Sequence, residues 1–263
     1  MLTVTVDGRP LHYRDVGQGL PVLLLHAFPL NGSAFDRQVA ALSGRYRFIV
    51  PDQRGFGQSG QGTGPSEMPL LARDALALLD ALNIDTAVVG GVSMGGYVAM
   101  ALLREDAGRV RGLVLVDTQA TADDDAGRAR REASAVEALD KGLEPLVQTL
   151  LPRLVAAGPD SPVGQEVAAM MRRAAPAAVA AAQRGMALRQ DSKDLLARYA
   201  GPALIVVGEH DGVTPLDKAT QMAQLISGAQ LEIIPGAGHL ANQEQPERFN
   251  AVLDRFLASL SAQ

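Results

Sequence analysis

The feature that most constrains this chain is a series of short, unbroken apolar runs set apart by helix-patterned stretches. The runs are Pro21 to His26, Arg47 to Val50, Ala87 to Gly90, Gly112 to Val116, Ala203 to Val207 and Leu231 to Ile234. Each is continuous rather than alternating, which marks strands covered on both faces. Between most of them lie Ala34 to Leu42, Met68 to Leu82, Tyr97 to Leu103, Pro215 to Leu225 and Pro246 to Leu260, with helical periodicity. Parallel neighbours need a long crossover, so this alternation predicts a mostly parallel, doubly wound α/β sheet. Ahead of it, Leu2 to Val6, a turn at Asp7-Gly8, and Leu11 to Val16 read as an antiparallel hairpin on the sheet's edge.

One segment breaks the rhythm. Residues 119–198 contain no evident strand, only alanine-rich sequence such as Gly164 to Arg173 and Ala177 to Leu188. Pro152, Pro159, Pro162 and Pro176 punctuate it, which predicts several short helices. Ligands bind at the carboxyl ends of parallel strands, where such an insertion must pack. Residues 119–198 are therefore expected to form a helical lid on a core domain made of 1–118 and 199–263. The run Asp123-Asp124-Asp125 is expected to be a solvated helix entrance.

Composition narrows the function classes. With 263 residues, 47% of them apolar and 20% charged, the chain can bury a real core. It has no cysteine, so disulfides, thiolate metal sites and a cysteine nucleophile are excluded. A net charge of −5 argues against nucleic acid or an anionic membrane surface as the main partner. Met1 to Asp7 alternates in polarity and lacks the basic and apolar regions of a secretory signal. No apolar run approaches the ~18–20 residues that span a bilayer. The expectation is a cytoplasmic protein acting on a small molecule, and a homo-oligomer is compatible with it.

The strongest chemical signal is Gly91-Val92-Ser93-Met94-Gly95, between an apolar strand run and an alanine-rich helix. G-x-S-x-G in a strand–turn–helix setting presents serine at the tip of a sharp turn. Its glycines let strand and helix approach, and the helix N-terminus places backbone N–H groups beside the reacting atom. A serine hydroxyl needs a base. Of the four histidines, the order serine, acid, histidine that goes with this turn excludes His12 and His26. His210 directly precedes Asp211 and is poorly placed to be oriented by it, which leaves His239, in the loop Pro235-Gly236-Ala237-Gly238-His239. Asp211, ending the run from Leu204, is preferred as the acid. Asp117, which also ends a strand, and Glu209 are its rivals. An oxyanion hole needs two convergent donors. Met94 N–H supplies one, and Phe28 N–H, in His26-Ala27-Phe28-Pro29, the other. His26 is read as holding that loop rather than as a catalyst.

Other signals are set aside. Gly55-Phe56-Gly57-Gln58-Ser59-Gly60 fits a dinucleotide fingerprint, but Gln61 to Pro65 cannot open the helix that would hold a pyrophosphate. It reads as a glycine-rich surface loop with Arg54 anchored near Asp52. Four scattered histidines supply no metal-ligand spacing. No cofactor and no metal are expected.

Taken together, His26-Ala27-Phe28-Pro29, Asp52 to Ser59, Gly91 to Gly96, Gly208-Glu209-His210-Asp211 and Gly236-Ala237-Gly238-His239 resemble the α/β-hydrolase family over nearly the whole chain. The resemblance implies an α/β-hydrolase fold, a Ser93–Asp211–His239 triad, an oxyanion hole, and a helical cap between the sixth and seventh strands. Ala27 departs from the usual glycine and raises the question of whether that position needs a glycine-only backbone. Within the family the chain is similar to the carboxylesterase, enol-lactone hydrolase and non-haem haloperoxidase (perhydrolase) group. Dehalogenases and epoxide hydrolases place aspartate where this chain has Ser93. Residues 119–198 lack Phe, Tyr and Trp, so an aliphatic acyl site is expected, drawn from residues such as Leu146, Leu150, Met170, Met171 and Met186. The expected activity is hydrolysis of small carboxylic esters through an acyl-enzyme. Lactone hydrolysis, C–C hydrolysis or perhydrolysis on the same triad is the alternative. A ligand-binding protein without turnover is a third reading.

Overall fold

The computed structural model describes residues 1–261. A hairpin, β1 (Leu2–Val6) and β2 (Arg9–Val16), opens the chain, followed by β3 (Leu20–Leu25), α1 (Asp36–Leu42), β4 (Tyr46–Pro51) and α2 (Met68–Ala81). Then come β5 (Ala87–Val92), α3 (Met94–Glu105) and β6 (Val110–Val116). After an insertion, β7 (Ala203–Gly208), α9 (Leu216–Leu225), β8 (Gln230–Ile234), α10 (Ala241–Glu244) and α11 (Pro246–Ser261) complete the fold. The strands form one eight-stranded sheet in the order β1-β2-β4-β3-β5-β6-β7-β8. The hairpin joins β4 antiparallel, and β4 through β8 pair in parallel with their neighbours, β3 included.

Side chains alternate across this sheet, so each continuous apolar run feeds two cores. Leu23, Leu25, Val89, Leu113, Leu115 and Ile205 face α2 and α3. Val22, Leu24, Phe48, Val88, Val114 and Leu204 face α1 and α11. Strands β5 and β7 are buried throughout, as the runs predict. Strand β8 differs: Leu231 and Ile233 are 37% and 43% exposed. It is the last strand of the order, with a neighbour on one side only.

The insertion comprises α4 (Asp125–Lys141), α5 (Glu144–Leu154), α6 (Pro162–Arg172), α7 (Pro176–Ala187) and α8 (Lys193–Arg198). The proline reading holds where Pro162 and Pro176 start α6 and α7. It fails at Pro152, which lies inside α5 near its end. Helix α4 is not short: it runs 17 residues, capped by the Asp124 side chain on Gly127 N–H. It packs along α7 and buries little beyond Ala135 and Ala138, so no apolar stripe announces it. Asp123 is not a solvated end, because it pairs with Arg131 and Arg189. The insertion is tied to the core where Leu154 O accepts from His239 N–H (3.0 Å) and Ser66 N–H donates to Ala181 O (2.9 Å).

The glycine-rich loop after β4 also departs from expectation. Arg54 does not anchor to Asp52; it is buried and forms a forked pair with Asp74 on α2, at 2.7 Å through Nε. Asp52 is already engaged by backbone, accepting from Gly32 N–H (2.8 Å) and Gln58 N–H (2.9 Å).

Candidate active site

Ser93 stands between β5 and α3 with φ 53° and ψ −114°, in backbone space that non-glycine residues avoid. Two close approaches hold it there. A Cβ on Gly91 would lie 2.1 Å from the Gly95 carbonyl carbon, and one on Gly95 would lie 1.9 Å from Leu25 O. No side chain fits either place, so both glycines are required by strand–helix contact. Ser93 N–H donates to Val116 O (2.9 Å) and Thr118 Oγ1 donates to Ser93 O (2.8 Å), which pins the turn against β6.

The structure brings Ser93, His239 and Asp211 together in one hydrogen-bonded line. Ser93 Oγ is 2.8 Å from His239 Nε2, and His239 Nδ1 is 2.9 Å from both Asp211 carboxylate oxygens. A carboxylate at Nδ1 keeps the proton on that nitrogen and leaves the Nε2 lone pair facing the hydroxyl. Asp211 sits at the carboxyl end of β7 in a tight turn, accepting from Val213 N–H (2.7 Å), Thr214 N–H (2.9 Å) and Thr214 Oγ1 (2.8 Å). Burial pushes its carboxyl up, but the adjacent His239 and the Val213 and Thr214 N–H groups outweigh that and hold it below the usual carboxylate range. An alcohol, imidazole and carboxylate so arranged can move a proton off the alcohol as it attacks an electrophile.

The rival acids lie elsewhere. Asp117 has both oxygens engaged by backbone, from Gly208 N–H (2.8 Å) and Ala241 N–H (3.0 Å). Burial and the neighbouring Asp211 push its carboxyl up to about 7. It braces the strand end that carries Asp211 against the loop that carries His239. Glu209 accepts from Gly236 N–H (2.9 Å) at the surface. His210 is exposed beside it. Thr214 and the bracing role of Asp117 escape the sequence reading, although Asp-x-x-Thr at a strand end is a recognisable turn pattern.

The His26 loop is held as expected. The wholly buried imidazole accepts from Gln53 N–H at Nε2 (2.9 Å) and donates from Nδ1 to Ala27 O (3.0 Å). Burial lowers its pKa, which keeps the ring neutral for both roles. Non-glycine residues with positive φ among the described residues are Asp7, Asn83, Ser93 and Asp117, so Ala27 does not occupy the left-handed backbone region that favours glycine. Neither Phe28 N–H nor Met94 N–H donates to another group among the described residues. Phe28 lines the cavity that holds Ser93, and Met94 opens α3 directly after it.

That cavity, about 460 Å³, lies between the sheet's carboxyl edge and the insertion. Of the aliphatic candidates, Leu146, Leu150 and Met186 line it. Met170 opens instead into a separate hollow beside Leu30 and Ser33, and Met171 is buried. Nor is the wall purely aliphatic: Tyr97 enters from α3, and Arg130, Arg131 and Arg153 enter from α4 and α5.

Fold and site define the class: a hydrolase of the α/β type, in which Ser93, Asp211 and His239 meet at the sheet's carboxyl edge. The chain belongs to the α/β-hydrolase fold family, whose model matches residues 21–246. It is similar in structure to a thermophilic esterase from Thermogutta terrifontis solved with malate bound, at a TM-score of 0.95 and 38% identity, covering 98% of this chain and 97% of that one. In sequence it is 30% identical to 3-oxoadipate enol-lactonase 2 of Acinetobacter baylyi, over 97% of each chain. It is 29% identical to a non-heme haloperoxidase of Rhodococcus erythropolis, over 96% of this chain and 97% of that one. Among the described residues, no helix is long and apolar enough to cross a membrane.

Proposed function

We propose that the protein is a serine hydrolase that cleaves small carboxylic esters through an acyl-enzyme. The observation that carries this reading is the unbroken line from Asp211 through His239 to Ser93, with contacts of 2.9 and 2.8 Å. His239 Nε2 takes the Ser93 proton as Oγ attacks the ester carbonyl, and Phe28 N–H and Met94 N–H receive the oxyanion. Collapse breaks the C–O bond, and the imidazolium protonates the departing alkoxide. Water then gives its proton to His239 and attacks the acyl group, and Ser93 recovers its proton as the acid leaves. Asp211 holds the imidazole tautomer and stabilises the imidazolium. Residues 119–198 act as the cap that covers the reacting carbonyl, while 1–118 and 199–263 form the core. On this reading the substrate is a small-molecule ester and the site of action is the cytoplasm.

The esterase resemblance favours open-chain esters. An enol-lactone is the second reading, favoured by the likeness to a lactonase over nearly the full chain, since opening a cyclic ester needs the same groups. The test is labelling by a fluorophosphonate, with mapping of the tagged residue, alongside turnover of p-nitrophenyl butyrate. Ser93→Ala is expected to abolish labelling and to lower kcat on the order of 10⁶-fold. A Ser93→Ala protein that still turned over the ester at the original rate would remove the mechanism.

A further inference from the structure

The cavity around Ser93 is lined by three arginines and one acidic neighbour, in a chain whose 29 acidic residues outnumber its 24 basic ones. That local excess of positive charge runs against the composition. Asp123, the one carboxylate at the mouth, pairs with Arg131 and Arg189, the latter at 2.6 Å. Arg131 also donates from Nη1 to Gln183 Oε1 (3.0 Å), so its guanidinium already has partners at Nε and Nη1. Arg130 and Arg153 are different. Neither forms an ion pair among the described residues, and the only acceptor found for either is Gly212 O, 3.1 Å from Arg153. Arg130 also borders the adjoining hollow, where Glu137 is taken by Lys141 at 3.1 Å rather than by Arg130. Asp211 lies behind the His239 ring and is bound to it. Two arginines from facing helices, α4 and α5, thus line the cavity with no ion-pair partner among the described residues.

We propose that Arg130 and Arg153 form a carboxylate-binding subsite, and that the preferred substrates are small esters carrying a free carboxylate a few bonds from the scissile carbonyl. This rests on the ester-hydrolase reading and adds substrate class to it. A guanidinium offers planar paired donors that match a carboxylate. Leu146 and Leu150, on α5 with Arg153, supply the apolar wall for the methylenes between the two ends of such a molecule.

The experiment compares monoethyl glutarate with ethyl valerate, its neutral counterpart of equal length, by pH-stat. The wild type is expected to favour the monoanion in kcat/KM by about tenfold or more, the size of one charge-assisted hydrogen bond. Arg130→Gln and Arg153→Gln should each lower that ratio by about tenfold, mainly through KM, and Arg130→Lys should recover part of it. Arg248→Gln, which removes the same charge from α11 far from the cavity, should leave the ratio unchanged. Arg130 gives the cleaner result, because Arg153 also holds the loop after Asp211. Equal use of both esters by the wild type, or an unchanged ratio in Arg130→Gln, overturns the subsite while leaving the hydrolase reading intact. Calorimetric titration with glutarate reads the subsite without turnover. Weaker binding by Arg130→Gln than by wild type supports it, and equal affinity overturns it, even where ester cleavage itself fails.

Discussion

The backbone strain at Ser93 can be weighed by replacing the serine twice. Ser93→Ala and Ser93→Gly both remove the hydroxyl and its 2.8 Å contact with His239, so that loss cancels between them. What differs is the Cβ at φ 53°, ψ −114°. A residue held in such sparsely populated space costs about 1–3 kcal/mol, and glycine relieves that. Against the gain stands the looser unfolded chain of a glycine variant, about 0.4–1 kcal/mol. The net expectation is that Ser93→Gly is more stable than Ser93→Ala by about 1–2 kcal/mol. For a domain of this size that corresponds to about 2–5 °C in Tm. Urea midpoints and thermal unfolding of the two variants, side by side, measure it. A glycine variant equal to or less stable than the alanine variant would refute the claim that the turn is strained, and with it the view that packing around Gly91 and Gly95 forces the serine outward.

Two further outcomes follow from the same geometry. Gly95→Ala places a Cβ against Leu25 O, a backbone atom that cannot rotate away, and should destabilise by about 3 kcal/mol. Gly44→Ala, whose Cβ meets nothing within 4 Å, should be neutral or gain about 0.4–1 kcal/mol, and equal urea midpoints for the two would contradict this. The Asp117 carboxyl, raised from 3.8 to about 7, keeps a proton in the native state that the unfolded chain has lost between those values. Its contribution to stability is full below about pH 4 and is lost as pH rises through about 7. Asp117→Asn gives up one acceptor and so should be less stable than wild type at pH 5, yet it carries no titrating proton and should fall less than wild type between pH 5 and pH 8. Parallel curves for the two proteins would refute the assignment.

How much of this was legible in the chain depends on the range of the interactions involved. Strand runs and most helices were readable because apolar periodicity is a local property. Helix α4 showed only its entrance at Asp123 to Asp125, since the rest is largely charged and buries only Gly127, Ala135 and Ala138. Strand β8 looked like any inner strand, and only its terminal place in the sheet exposes Leu231 and Ile233. Ser93 and His239 were visible through the glycines that local geometry demands around them. Which carboxylate meets His239 was not settled by sequence, because Asp117 and Asp211 end adjacent strands and look alike. Arg130 and Arg153 carry no local signature, and they come to line one cavity only because α4 and α5 face each other across it.

The order of residues alone determined a parallel sheet with a serine at a sharp turn and a histidine among glycines, because turn chemistry and side-chain period act over a few residues. Tertiary structure alone decided which carboxylate faces the imidazole and which cations face the reacting centre. Ser93 and His239 are 146 positions apart. Their contact, and the backbone N–H groups that claim Asp117 while leaving Asp211 for His239, exist only once neighbouring strands share an edge.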